Sequence, residues 1–114
     1  MKSMKDYCDN ETSRELKELG FPTKVTFIGE QATIEIPINS GWIHLYEAQK
    51  WLREEKNMIV DVRYGAQYYN VVLNHRICGR HIVMDKNNRI ADFTEYDKAL
   101  SEGIKEAVKI LKKK

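Results

Sequence analysis

Met58-Ile59-Val60-Asp61-Val62 and Gln67-Tyr68-Tyr69-Asn70-Val71-Val72-Leu73 decide the fold. β-Branched and aromatic residues dominate both runs, and Tyr64-Gly65-Ala66 places a glycine at the turn between them. The two read as neighbouring strands. A third strand is expected at 80–84, and Asp85-Lys86-Asn87-Asn88 is a dense turn signal leading to a short return strand at 89–93. Helical spacing flanks this block on both sides. Upstream, in residues 44–56, Leu45, Ala48, Trp51 and Leu52 share one face and Glu47, Lys50 and Glu54 the other. Downstream, Tyr96, Leu100, Ile104, Ala107, Val108 and Leu111 recur at spacings of three and four. Thr94 and Asp97 have the spacing of a capping box before this long helix, and Lys109 and Lys112 to Lys114 put cations at its carbonyl end.

Further upstream the period changes twice. Asn10-Glu11-Thr12-Ser13 is a cluster of capping residues before a short helix carrying Leu16 and Leu19, with Gly20 as its stop and Pro22 just beyond. Val25, Phe27, Ile34, Ile36 and Ile38 then alternate with polar residues around Gly29-Glu30, which predicts a hairpin with one buried face. Pro37 marks an edge or a strand end. The expected fold is α+β, in the order α-β-β-α-β-β-β-α, with an antiparallel sheet of about five strands covered by three helices on one face.

Composition agrees with one domain over residues 1–114, with 1–10 and 112–114 the segments most open to disorder. The 114 residues are 42% hydrophobic and 32% charged with only 2 Pro, which excludes a low-complexity or disordered chain. Nineteen basic against 17 acidic residues leave a net charge of +2, too small to imply nucleic acid by charge alone. Apolar runs stay far below the ~20 residues a bilayer span needs, and the first residues turn polar where an export signal would be apolar. Two widely separated cysteines, Cys8 and Cys78, fit free thiols in a reducing cytoplasm.

Three segments together carry a family resemblance. Residues 12–22 (TSRELKELGFP), 45–54 (LYEAQKWLRE) and 96–107 (YDKALSEGIKEA) resemble, in order and spacing, a family of small uncharacterised proteins of Bacteroides-type gut bacteria and their phages or mobile elements. That family pairs an "ELKELGFP" opening with an "AxKWLRE" helix and a closing "YEEALxxGIxEAL" helix. The chain departs from it at His44, where a hydroxyl cap is usual, and at Lys98, where a glutamate is commoner. The resemblance covers nearly the whole chain and implies an accessory role in a phage or mobile element, but no activity, cofactor or site residue.

Three chemistries can be read from local residues. His75, Cys78 and His81 lie three residues apart at a turn, and imidazole and thiolate are zinc donors, with Cys8 or Asp85 as a fourth ligand. The plainer reading is a basic hairpin with a thiol in it. Arg63, Tyr68, Arg76 and Arg80, with Tyr64, Tyr69 and the lysine tail, could neutralise phosphates and stack bases. Tyr68 and Tyr69 are consecutive, so a strand sends them to opposite faces and at most one joins such a surface. Asp61, Asp85, Asp92 and Glu35 are candidate acids and His75 or His81 a candidate base, yet no P-loop, GxGxxG, GxSxG or HExxH motif accompanies them. His44 reads as a helix cap, Trp51 as core, and Trp42 as a cover for the following helix or part of an exposed patch. The expectation is a non-catalytic cytoplasmic domain, without cofactor, that works through a protein partner or a second copy of itself. Its self-contact would use the strand edge near Pro37 or the apolar face of the last helix. Nucleic-acid binding is the first alternative and a zinc-binding domain or enzyme the second.

Overall fold

The computed structural model describes residues 7–37, 42–77 and 79–113, with backbone alone at 24–27 and 35–37. Its elements are α1 (Asn10–Glu18), β1 (Lys24–Ile28), β2 (Thr33–Pro37), α2 (Leu45–Lys56), β3 (Met58–Gly65), β4 (Tyr68–His75), β5 (Gly79–Ile82) and α3 (Tyr96–Lys112). The class and the order are those expected; the sheet is not. β1 and β2 form a two-stranded antiparallel hairpin of their own, while β3, β4 and β5 form a separate three-stranded antiparallel sheet in that order. Alternation marks a strand but does not choose its neighbour, and β1 and β2 satisfy each other. The return segment is no strand either: Ile90 bridges Met84, and Phe93 exchanges two backbone hydrogen bonds of 2.8 Å with Tyr69. Ile38 and the loop 39–41 lie outside the described residues.

The core forms where the helices meet one face of the larger sheet. Met58 and Val60 of β3, Val71 and Leu73 of β4, Leu45 and Leu52 of α2 and Leu100, Ile104 and Val108 of α3 are almost wholly buried there. The apolar face of α3 is therefore spent on this core, which corrects the expectation that it mediates self-association. Gly103 makes the approach possible, because its missing side chain lets α3 settle onto Val60 and Val71. α1 packs on α3 and contributes Leu16.

Local chemistry shifts several helix ends. Asp9, not the cluster after it, caps α1: its carboxylate accepts the Thr12 N–H at 2.7 Å. Thr12 and Ser13 are buried inside the helix instead, and the Ser13 hydroxyl accepts the Ile43 N–H at 3.0 Å. The capping box of α3 does not form, since Glu95 is its N-cap and makes no side-chain capping hydrogen bond, and Asp97 accepts from the Tyr46 hydroxyl at 3.3 Å. His44 does cap α2, its Nδ1 accepting the Tyr46 N–H at 3.2 Å. A single left-handed residue, Asn57 (φ 54°), separates α2 from β3. The β3–β4 turn also differs from expectation: Gly65 and Tyr68 pair across it, and Ala66 and Gln67 carry the two positive φ angles, 52° and 70°.

The small hairpin stands away from the body. Among the described residues no other element packs extensively on it, and the molecule measures 58 × 39 × 21 Å with a radius of gyration of 16.0 Å, against about 13 Å for a compact chain of this length. By register Ile28 and Ile34 face opposite sides, yet both are exposed, so at these positions neither face is buried as the alternation predicts.

Candidate nucleic-acid interface

Strand parity builds the site. On β3, Met58 and Val60 point into the core, so Ile59, Asp61 and Arg63 point to the other side. Opposite them in register stand Asn74, Val72 and Asn70 of β4, and beyond these Arg80 and Ile82 of β5 lie opposite Asn74 and Val72. Tyr68, opposite Gly65, ends the row. Among the described residues no helix covers this face: Ile59 is 46% exposed and Tyr68 44%, and Arg63, Asn74 and Arg80 are exposed too. Val72, at 5%, forms an apolar centre shielded by its neighbours. The Gln49 side chain of α2 donates to the Val60 carbonyl at 2.8 Å and so blunts the free edge of β3.

Arg63, Tyr68 and Arg80 thus share one open face, and Arg76 sits at its rim in a shallow concavity with Arg53, Asn57, Ile59 and Asn74. Arg63 is partly neutralised, because its Nε donates to Asp61 at 2.9 Å. Tyr69 points to the core side, where its ring meets Tyr96 edge-on and Tyr64 at 4.9 Å. Sequence reading did not single out Arg53, Asn57, Ile59 and Asn74. Parity would have found Ile59 and Asn74; nothing local announces that Arg53 reaches the same place.

Carboxylates gather elsewhere. A groove of about 590 Å³ between the start of α1 and the start of α3 is lined by Tyr7, Asp9, Glu11, Trp42, Asp97 and Glu102 among others. Lys105 bridges Asp9 at 3.2 Å and Glu102 at 3.3 Å. Burial opposes charge on Asp9, but the Thr12 amide and the Lys105 ammonium outweigh it and hold the carboxyl below its usual range. Lys105 is likewise raised against its own burial by Asp9 and Glu102. Cys8, also in the wall, is buried and its thiol pushed up to about 12, first by desolvation and then by Asp9, which leaves it a poor nucleophile. Trp42 is 37% exposed on this groove, whereas Trp51 is half-buried against Phe21 with the Lys56 ammonium 5.5 Å from its ring.

The candidate zinc ligands are placed only in part, because Cys78 lies outside the described residues. His75 is buried with Nδ1 accepting the Ile77 N–H at 3.3 Å, and His81 is half-exposed with Nε2 3.5 Å from Glu106. Among the described residues no group of three or more His, Cys, Asp or Glu side chains could hold a metal ion. The candidate acids have separate tasks: Asp61 binds Arg63, and Asp85 accepts the Asn87 and Arg89 amides of the turn. The side chain of Glu35 lies outside the described residues, and Asp92 is exposed. Among the described residues no helix is long and apolar enough to cross a membrane.

No family model matches the chain, and no match was found among curated proteins or solved structures.

Proposed function

We propose that this protein is a non-catalytic nucleic-acid-binding domain that lays a single-stranded segment across the helix-free face of β3, β4 and β5. The observation that carries the reading is the gathering of Arg63, Tyr68, Arg76 and Arg80 on one uncovered face and its rim. Phosphates would meet guanidiniums, and a base would stack on Tyr68. The acidic groove adds polarity: a net charge of +2 hides a molecule in which Arg63, Arg76 and Arg80 outnumber Asp61 around the sheet face while carboxylates outnumber Lys98 and Lys105 in the groove, which orients an approaching polyanion.

The test is fluorescence anisotropy of the purified chain with short RNA and DNA oligonucleotides over a series of salt concentrations. Binding that weakens linearly with the logarithm of salt, and that Arg76→Glu with Arg80→Glu removes, supports the reading. Absence of binding at low salt overturns it.

A second reading has its own observation. Ile28 is 85% exposed at the tip of a projecting two-stranded hairpin, a unit that is marginal alone. Pairing of its free β1 edge with a partner protein or a second copy would bury that side chain. An accessory role in a phage or mobile element would suit either reading, and rests on the three-segment resemblance. Sedimentation equilibrium of the chain and of Ile28→Lys separates self-association from a monomer.

A further inference from the structure

We propose that Arg53 and Arg76 form a phosphate seat that anchors one end of the bound strand, an inference that rests on the nucleic-acid reading above. The concavity they line, about 250 Å³, is completed by Asn57, Ile59 and Asn74, and among the described residues no carboxylate lines it. The two arginines come from different elements, the last turn of α2 and the turn after β4. A backbone contact joins those elements, the Arg76 N–H lying 3.4 Å from the Asn57 carbonyl, so the spacing of the two stems is set by the fold.

Among the described residues their charges are uncommitted. Arg14 faces Glu18 at 3.9 Å and Arg63 faces Asp61 at 2.9 Å, whereas neither Arg53 nor Arg76 meets a carboxylate among the described residues. A guanidinium presents its N–H groups as a planar fork that matches two oxygens of a phosphate, and the carboxamides of Asn57 and Asn74 can donate to the remaining ones. Ile59, 46% exposed, offers an apolar floor that donates nothing to a competing water. The carbonyl end of α2 opposes an anion here with about half a unit of negative charge, but two full positive charges outweigh it. Asn57 also covers one of those carbonyls, its N–H bonding to the Leu52 oxygen.

The seat lies at the opposite end of the face from Tyr68. From Ile59 to Gly65, whose register partner is Tyr68, β3 rises about 20 Å at ~3.3 Å per residue. A strand anchored in the seat and stacked on Tyr68 therefore spans roughly four nucleotides, the lower end of single-domain site sizes.

The experiment compares the full chain with Arg53→Gln/Arg76→Gln and with Arg63→Gln/Arg80→Gln, whose changed side chains are all exposed. Each binds a labelled hexanucleotide and its series of single methylphosphonate derivatives, in which one phosphate at a time is uncharged. The expected result has three parts. The Arg53/Arg76 variant loses about tenfold in affinity. Its salt slope falls by roughly 0.7, the share of the one phosphate that the seat neutralises. One methylphosphonate position weakens the wild-type chain by a similar factor and leaves this variant unchanged.

If the Arg53/Arg76 variant binds like wild type while the Arg63/Arg80 variant is weakened, the seat is wrong and the nucleic-acid reading stands. If the wild-type chain binds no oligonucleotide, or prefers an acidic peptide of equal charge, the reading itself fails and the seat with it. Titration with inorganic phosphate, followed by NMR of the arginine Nε–H groups, identifies the source: saturation at concentrations as low as those of the oligonucleotide assigns the seat to a small free anion and overturns the strand.

Discussion

Gly103 of α3 lies so close over Val71 of β4 that a methyl group at its Cα would stand 2.6 Å from the valine Cγ1, and 2.8 Å from Cγ1 of Val60. The contact couples the longest helix to the two strands it covers. Alanine is the better helix former by about 1 kcal/mol, but overpacking a buried contact costs about 1–3 kcal/mol. Gly103→Ala is therefore expected to destabilise the fold, lowering the denaturant midpoint without changing the slope. A rise in the midpoint would show that α3 can lift off the sheet without cost.

The β3–β4 turn is held by the wrong residues. Ala66 and Gln67 both sit at positive φ, which costs a side-chain-bearing residue roughly 1–2 kcal/mol, whereas asparagine and glycine tolerate it. Ala66→Asn with Gln67→Gly should stabilise the protein by about 1 kcal/mol or more, read as a higher melting temperature. It should leave oligonucleotide binding at the seat unchanged, since the seat is at the other end of the sheet.

Asp9 and Lys105 give stability a dependence at both ends of the pH scale. The Asp9 carboxyl titrates below its usual range, so its contribution is complete above the unfolded value, near 3.9, and is lost as pH falls through the folded value. The Lys105 ammonium titrates above its usual range, so its contribution is complete below about 10.4 and is lost as pH rises through the folded value. Asp9→Asn keeps a good helix cap but removes the charge. Unfolding curves of this variant should be flatter than wild type toward both acid and alkali; an unchanged acid limb would contradict the assignment.

Ser13 reaches from the middle of α1 to the chain before α2, where its hydroxyl accepts the buried Ile43 N–H. Ser13→Ala strands that donor, at about 1–3 kcal/mol. The loss should appear in denaturant titration, with faster amide exchange at Ile43.

Cys8, 1% exposed and with its thiol pushed up to about 12, should resist alkylation in the folded protein. In a Cys78→Ser background, labelling by an iodoacetamide reagent near pH 8 should proceed only through unfolding. Rapid labelling would show that the groove admits reagent to the sulfur.

Contiguous patterns were the legible part. Leu45, Ala48 and Leu52, and Leu100, Ile104 and Val108, lie on unbroken helical ladders, and each ladder is buried as its spacing requires. The helix starts were less legible because distant groups compete for the capping carboxylates: Tyr46, 51 residues away, engages Asp97, which the local pattern assigned to a capping box. Sheet membership failed for a related reason. Alternation around Gly29 cannot tell a hairpin that joins a sheet from one that stands apart. Within the site, parity alone sorted Tyr68 from Tyr69 and placed Arg63 with Arg80 once the register is known. Arg53 is on a helix, and only the tight Asn57 junction carries it to the sheet face.

The clasp of α1 on α3 has a consequence for how the chain reaches this structure. Lys112 holds Glu18 at 3.1 Å across 94 residues, while each strand of the larger sheet meets a neighbour in sequence. Short loops close early and cheaply, so α2 through α3 should assemble first and α1 dock afterwards. Apart from the projecting hairpin, the amino-terminal helix is then the first cooperative piece to detach in the native state. It would take with it Asp9 and one wall of the acidic groove, while the arginine-bearing face stays folded.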